Sequence, residues 1–126
     1  MERLFWICLA GAVGTGTRYL VALWAAQRLG SVFPYGTLIV NLVGCFVIAA
    51  VMHAALSLGW SPTLRSALTI GFVGGLTTYS SFNYDTMRLF EEGVPATAFL
   101  NVAVTLAGGI FAGWLGLVAA RELLGR

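Results

Sequence analysis

The residues best placed to do chemistry lie in one stretch of the third apolar segment, 71–85, which reads GFVGGLTTYSSFNYD. Gly74 and Gly75 each disfavour a helix by about 1 kcal/mol relative to alanine. The hydroxyl side chains that follow them offer the backbone competing hydrogen-bond partners. At bilayer depth, irregular backbone occurs only where it is buried in protein or lines a wet cavity, and interrupted membrane helices often bind ions there. The stretch therefore predicts an ion-handling site formed by a break in the helix.

Three kinds of chemistry can be weighed for this stretch. A serine nucleophile needs a base, but the only histidine, His53, lies in another segment and no G-x-S-x-G turn is present, so an enzyme is disfavoured. A phosphate-binding loop would need a lysine, which the chain lacks entirely. A hard cation is bound by carbonyl and hydroxyl oxygens, and this stretch supplies both. Such a cation could be structural or transported.

Two aromatic residues in the stretch offer a second kind of contact. Tyr79 and Phe82 are three positions apart, so on a helix they share a face. Because ring edges carry partial positive charge, edges turned into a pore can favour an anion. Packing is the simpler account of the pair when it is taken alone.

The elements that must position these residues follow from composition and hydropathy. The chain is 59% hydrophobic and 10% charged, whereas soluble domains carry about 25% charged residues. Four apolar segments have nearly the ~20 residues that a bilayer-spanning helix needs: 4–26, 35–58, 64–82 and 96–120. The first is too long for a cleaved signal peptide. We expect one all-α membrane domain over 1–126, with four transmembrane helices, the third broken near its middle, and a polar third connection over 83–95.

Charge distribution gives little information about orientation. Four arginines lie on the side of the termini and the second connection, and two lie on the other side. This is a weak positive-inside signal, so the chain could insert both ways up and form antiparallel pairs, although one fixed orientation is also compatible. The net charge of +2 and the absence of a basic run argue against nucleic acid as a partner.

Polar residues recur on one face of the second and fourth segments. Thr37 and Asn41 are four residues apart, and so are Asn101 and Thr105. Asn41 can form a hydrogen bond between helices or donate to an anion in a pore. The interhelical hydrogen bond is the simpler interpretation of this residue alone. Arg18, near the end of the first segment, can snorkel to the headgroups or attract anions to a vestibule.

Four motifs occur in a characteristic order along the chain: R-Y at 18–19, G-T-L-x-V-N-x-x-G at 36–44, G-F-x-G-G-L-T-T-aromatic-S-x-F at 71–82, and G-x-x-A-T-A-F at 93–99. Together they cover nearly the whole chain and closely resemble the motifs of the Fluc (CrcB) fluoride channels. That resemblance implies a four-helix subunit forming an antiparallel, dual-topology homodimer with two fluoride pores and one central structural sodium ion. Passive export through a narrow pore would discriminate against the larger chloride ion.

The resemblance also implies roles for particular residues. The backbone carbonyls of Gly74 and Thr77 would hold the sodium ion, and Arg18 would face a vestibule. The fluoride pore would be lined by Thr37, Asn41, Tyr79, Phe82, Asn101 and Thr105. Three positions depart from the family pattern: Tyr79 stands where phenylalanine is usual, Asn101 where tyrosine is frequent, and Gly109 where some members carry a hydroxyl.

The expected protein is thus a multi-pass channel of the cell (inner) membrane and not an enzyme, with fluoride, a second copy and the lipid bilayer as its partners. Two alternatives are a small dual-topology, proton-coupled exporter of cationic compounds and a non-conducting membrane assembly subunit. The exporter would need a membrane-embedded carboxylate. The five acidic residues are all expected at segment ends or in the third connection: Glu2, Asp85, Glu91, Glu92 and Glu122.

Overall fold

A computed structural model describes residues 1–125; Arg126, the last residue of the predicted domain, lies outside them. The described chain forms helices α1 (Glu2–Leu29), α2 (Tyr35–Ser57), α3 (Pro62–Ser66), a π-helical segment (Ala67–Val73), α4 (Gly74–Leu76), α5 (Tyr79–Glu91) and α6 (Pro95–Leu124). Three of them, α1, α2 and α6, are long and apolar enough to cross a membrane, with mean hydropathies of 1.3, 2.3 and 2.0. The prediction of an all-α membrane protein is confirmed.

The backbone conformation of the third apolar segment changes several times along its length. Residues 62–76 are helical throughout, and Thr77 (φ −85°, ψ 157°) and Thr78 (φ −153°, ψ 115°) are then extended. We refer to Thr77 and Thr78 as the extended pair. Thr78 begins α5 as its N-cap, because its hydroxyl accepts a 3.1 Å hydrogen bond from the Ser81 amide.

The extended pair follows the two glycines that were expected to disrupt the helix. Gly74 keeps helical dihedrals (φ −62°, ψ −36°), and its amide donates to earlier carbonyls of the same segment. Gly75 is held against α1 so closely that an added Cβ would lie 2.5 Å from the Gly11 carbonyl oxygen. Close helix packing therefore explains Gly75 better than local unwinding does, and Gly74 remains helical without such a contact.

Helix α5 continues to Glu91, so most of the expected polar connection over 83–95 is helical. Phe82, Thr86 and Leu89 recur at helical spacing and are buried on one face. Arg88 and Glu92 form an i,i+4 ion pair of 2.7 Å at its end. As a consequence, Asp85 lies on a helix and is half-buried, and its expected position in a connection was wrong.

Glycines bring the helices close enough to surround the extended pair. Helix α1 packs against the third segment at Gly14, where an added Cβ would collide with the Phe72 carbonyl oxygen. Gly44 of α2 lies against the Thr77 methyl group, and Gly116 of α6 lies against the backbone of Phe46 in α2. The extended pair is thereby enclosed between α1 on one side and α2 on the other.

Candidate functional site

The side chain of Asn41 pairs with both backbone groups of Thr78. Its Nδ2 donates to the Thr78 carbonyl oxygen at 3.0 Å, and its Oδ1 accepts from the Thr78 amide at 2.8 Å. Thr78 is buried, so an unpaired backbone group there would carry a large desolvation cost. The amide of Asn41 replaces the helical hydrogen bonds that the extended backbone cannot make. One Nδ2 hydrogen remains for another acceptor.

Four backbone carbonyls in and around α4 fall into two groups, those that accept hydrogen bonds from outside the regular helix pattern and those that do not. The Val73 carbonyl accepts from the amide and the hydroxyl of Thr77, both at 2.9 Å, and the Gly75 carbonyl accepts from Arg18 Nε at 3.1 Å. The described residues supply no side-chain donor, and no backbone donor outside regular helix, to the carbonyls of Gly74 and Thr77. These two carbonyl oxygens, one in α4 and one in the extended pair, thus lack side-chain and loop donors in the described part of the chain.

A groove of about 460 Å³ opens beside the extended pair. Its walls come from α2, α6, the extended pair and the first turn of α5, and they combine apolar residues with amide and hydroxyl groups. It is lined by Asn41, Cys45, Thr77, Thr78, Tyr79, Phe82, Thr105, Leu106, Gly109 and Ile110. Four of the six residues expected in the fluoride pore therefore meet in one groove: Asn41, Tyr79, Phe82 and Thr105.

The two aromatic residues of the groove have very different environments. Phe82 is buried, with 8% of its surface exposed, whereas Tyr79 is 78% exposed. Their ring centroids are 5.8 Å apart and their planes are inclined at 54°. This tilted arrangement is typical of favourable aromatic pairs, which turn an edge rather than a face toward a neighbour.

The hydroxyl of Thr105 is the unsatisfied polar group of the groove. Its Oγ1 is buried and has no hydrogen-bond partner in the described part of the chain. Most buried side-chain polar atoms are hydrogen-bonded, and an exception often marks a place where a missing ligand binds. The Thr105 hydroxyl can therefore donate a hydrogen bond to a ligand in the groove.

Asn101, one helical turn before Thr105, lies outside the groove lining. It is 1% exposed, and its Nδ2 donates at 2.9 Å to the hydroxyl of Thr86, which in turn donates to the Phe82 carbonyl. This chain of hydrogen bonds joins α6 to α5 directly behind the aromatic pair. The contact seen for Asn101 is interhelical.

A second cavity, of about 310 Å³, lies on the α1 side of Thr78. Arg18 and Thr37 line it together with Thr15, Tyr19, Ala22, Gly36, Val40, Thr78 and Ser81. Thr37 also lines an adjoining cavity of about 170 Å³ that includes Asp85 and Arg88, and its hydroxyl donates to Asp85 Oδ2 at 2.7 Å. Thr37 and Arg18 are thus separated from the Asn41 groove by Thr78 itself.

Sequence reasoning missed the roles of Thr78 and Asp85. Thr78 lines both the 460 Å³ groove and the 310 Å³ cavity, and it caps α5. A threonine three residues before Ser81, at the start of an amphipathic run, is a usable N-cap signal. Asp85 could have been recognised from the spacing of Phe82, Thr86 and Leu89, which predicts that the helix continues past it. Its partner Thr37 is 48 positions away, which local patterns do not reveal.

Known proteins of one family are similar to this chain over nearly its full length. Residues 5–117 match the family described as CrcB-like protein, Camphor Resistance (CrcB). A protein named fluoride-specific ion channel FluC from Sorangium cellulosum (strain So ce56) is 50% identical over 125 residues, covering 98% of each chain. Proteins of the same name from Geobacter sp. (strain M21) and Citrifermentans bemidjiense are 47% and 45% identical, each covering 98% of this chain and 100% of their own.

Proposed function

The chain belongs to the CrcB-like family, and from this premise we propose that it is a fluoride-specific channel that works as an antiparallel pair of copies, with two pores and a structural sodium ion between them. The observation that carries the proposal is the buried Thr105 hydroxyl, which lines the groove without a hydrogen-bond acceptor in the described residues. The groove also contains Asn41 and the aromatic pair. A pair of copies contributes two such grooves and hence two pores.

Fluoride is small and holds its water tightly, so a selective pore replaces that shell with donors at close range. The Thr105 hydroxyl donates one hydrogen bond, and the remaining Nδ2 hydrogen of Asn41 donates another. The ring edges of Phe82 and Tyr79 add partial positive charge. Chloride is too large to be surrounded in the same way. Fluoride then passes down its own electrochemical gradient.

The polar path continues beyond the groove only through residues that already have partners. In this proposal Thr37 extends it with Arg18 on the far side of Thr78, where its hydroxyl donates to Asp85, and Asn101 extends it along α6, where its amide donates to Thr86. Arg18 lines the 310 Å³ cavity and supplies positive charge there. This cavity is the vestibule, in which fluoride collects before it enters the groove.

The structural sodium ion is assigned to the carbonyl oxygens of Gly74 and Thr77. Both carbonyls lack donors among the side chains and loop amides described, and Gly74 is exposed, so a second copy can approach it. Hard cations take oxygen ligands, and no group of three or more His, Cys, Asp or Glu residues exists in residues 1–125 to offer another site. When bound, sodium supplies positive charge that offsets the partial negative charge of the helix end.

The antiparallel arrangement can be tested by labelling. In a background with Cys8 and Cys45 replaced, a single cysteine at Arg3 is exposed and reacts with a membrane-impermeant maleimide. If the chain inserts both ways up, about half of the molecules will react from each side of an intact membrane. Permeabilised membranes provide the full-labelling control. Reaction from one side only would exclude an antiparallel pair.

Fluoride transport itself can be tested with purified protein in liposomes. Fluoride and chloride electrodes record release after a potassium ionophore removes the charge limit. A fluoride channel releases fluoride rapidly and retains chloride. Efflux that requires a proton gradient would instead indicate a coupled exporter, and release of neither ion would indicate an assembly subunit.

A further inference from the structure

Arg18 makes a hydrogen bond that links α1 to the end of α4. Its Nε donates to the Gly75 carbonyl oxygen at 3.1 Å, and the contact is partly buried. The last carbonyls of a helix lack donors within the helix and carry partial negative charge. Arg18 supplies both a donor and a positive charge to the helix end immediately before the extended pair.

The packing of α1 separates Gly75 from its neighbour Gly74. A Cβ added at Gly75 would lie 2.5 Å from the Gly11 carbonyl oxygen and 3.1 Å from the Thr15 amide, whereas one at Gly74 would meet only the Thr69 carbonyl oxygen, at 3.8 Å. Consecutive helical residues are rotated by about 100°. Arg18 therefore holds one carbonyl on the α1 side, while the next carbonyl toward the N-terminus lies on another, exposed face.

We infer that Arg18 is a positioning residue for the sodium site: by holding the Gly75 carbonyl it fixes the helix end that presents the carbonyls of Gly74 and Thr77. The inference rests on the proposed sodium site and adds to the vestibule role of Arg18. A guanidinium has five N–H groups, so Nε can hold Gly75 while the terminal nitrogens face the 310 Å³ cavity that the residue lines.

Substitution of Arg18 by lysine distinguishes its hydrogen bond to Gly75 from its positive charge in the cavity. Arg18→Lys keeps the positive charge but places a methylene group at the position from which Nε donates to Gly75. Arg18→Gln removes the charge as well. Arg28→Gln is the matched control, because it removes an exposed cation from the last turn of the same helix.

The first measurement is the sodium concentration that half-maximally stabilises the purified dimer against heat, with N-methylglucamine as the replacement cation. Loss of a charge-assisted hydrogen bond should raise this concentration about tenfold in both Arg18 variants and leave it unchanged in Arg28→Gln. A wild-type midpoint for Arg18→Lys would overturn the inference, because charge alone would then suffice.

The second measurement, hydrogen–deuterium exchange of peptides covering 74–78, does not depend on sodium. Both Arg18 variants should exchange about tenfold faster there, because the helix end has lost its anchor, while peptides from α6 exchange as in the wild type. Unchanged exchange at 74–78 would overturn the inference. If the wild-type dimer shows no sodium dependence but this exchange is accelerated, the sodium proposal fails and the positioning of the helix end by Arg18 stands.

Discussion

Asn41 and Thr78 are joined by two hydrogen bonds, of 3.0 and 2.8 Å, between a side-chain amide of α2 and the backbone of the extended pair. The side chain thereby supplies the hydrogen bonds that backbone groups of neighbouring turns supply within a helix. It also places the remaining amide hydrogen beside the groove that contains Phe82 and Thr105. One residue thus stabilises the irregular backbone and lines the groove that we propose as the pore.

Asn41→Asp should lower stability and fluoride flux together. A carboxylate can still accept from the Thr78 amide but cannot donate to the Thr78 carbonyl, and its charge repels an anion. We expect the free energy of unfolding to fall by about 1–3 kcal/mol and flux to be abolished, measured by denaturant titration and by efflux from liposomes. Asn83→Asp, at an exposed position of α5, is the control. Wild-type stability of Asn41→Asp would contradict the role of the amide pair.

Thr105→Val should lower flux without lowering stability. The substitution is close in shape and removes a buried hydroxyl that has no partner in the described residues, so the free energy of unfolding should stay equal or rise by about 1 kcal/mol. Fluoride efflux should fall about tenfold, because one donor to the ion is lost.

Thr86→Val provides the contrast for Thr105→Val. The Thr86 hydroxyl accepts from Asn101 Nδ2 in a buried contact, and its loss leaves that amide group unpaired. We expect destabilisation by about 1–3 kcal/mol. If Thr105→Val conducts fluoride like the wild type, the Thr105 hydroxyl is not a pore donor.

Phe82→Ile should reduce fluoride efflux about tenfold while the dimer remains assembled, because apolar bulk is kept and the ring edge is lost. A stability cost of about 1 kcal/mol is expected from imperfect refilling of a buried site. Phe111→Ile, on an exposed face of α6, is the control. Efflux and size-exclusion chromatography measure the two effects, and unchanged efflux would remove Phe82 from the pore.

Gly14→Ala and Gly16→Ala test the packing that encloses the site. A methyl group at Gly14 would collide with the Phe72 carbonyl oxygen, whereas one at Gly16 meets nothing within 4 Å. Gly14→Ala should therefore destabilise by about 2 kcal/mol, and Gly16→Ala should stabilise by up to about 1 kcal/mol through helix propensity. Thermal unfolding in detergent measures both. Equal effects would show that α1 does not pack on the third segment as described.

Much of the fold was predictable, because long apolar segments must form helices in a bilayer. The position of the extended pair was not predictable, because both glycines remain helical and Gly75 serves close packing against α1. The partners at the site were also hidden from local patterns. Arg18 and Gly75 are 57 positions apart, and Asn41 and Thr78 are 37 apart, so their pairing depends on how the helices pack.

The central claim is passive conduction selective for fluoride, and the reversal potential of the wild-type channel in a planar bilayer tests it most directly. With fluoride and chloride gradients in opposite directions, and equal pH on both sides, the current should reverse at the fluoride equilibrium potential. A subsequent pH gradient should leave that potential unchanged. Reversal at the chloride equilibrium potential, or a shift that follows the proton gradient, would contradict the account.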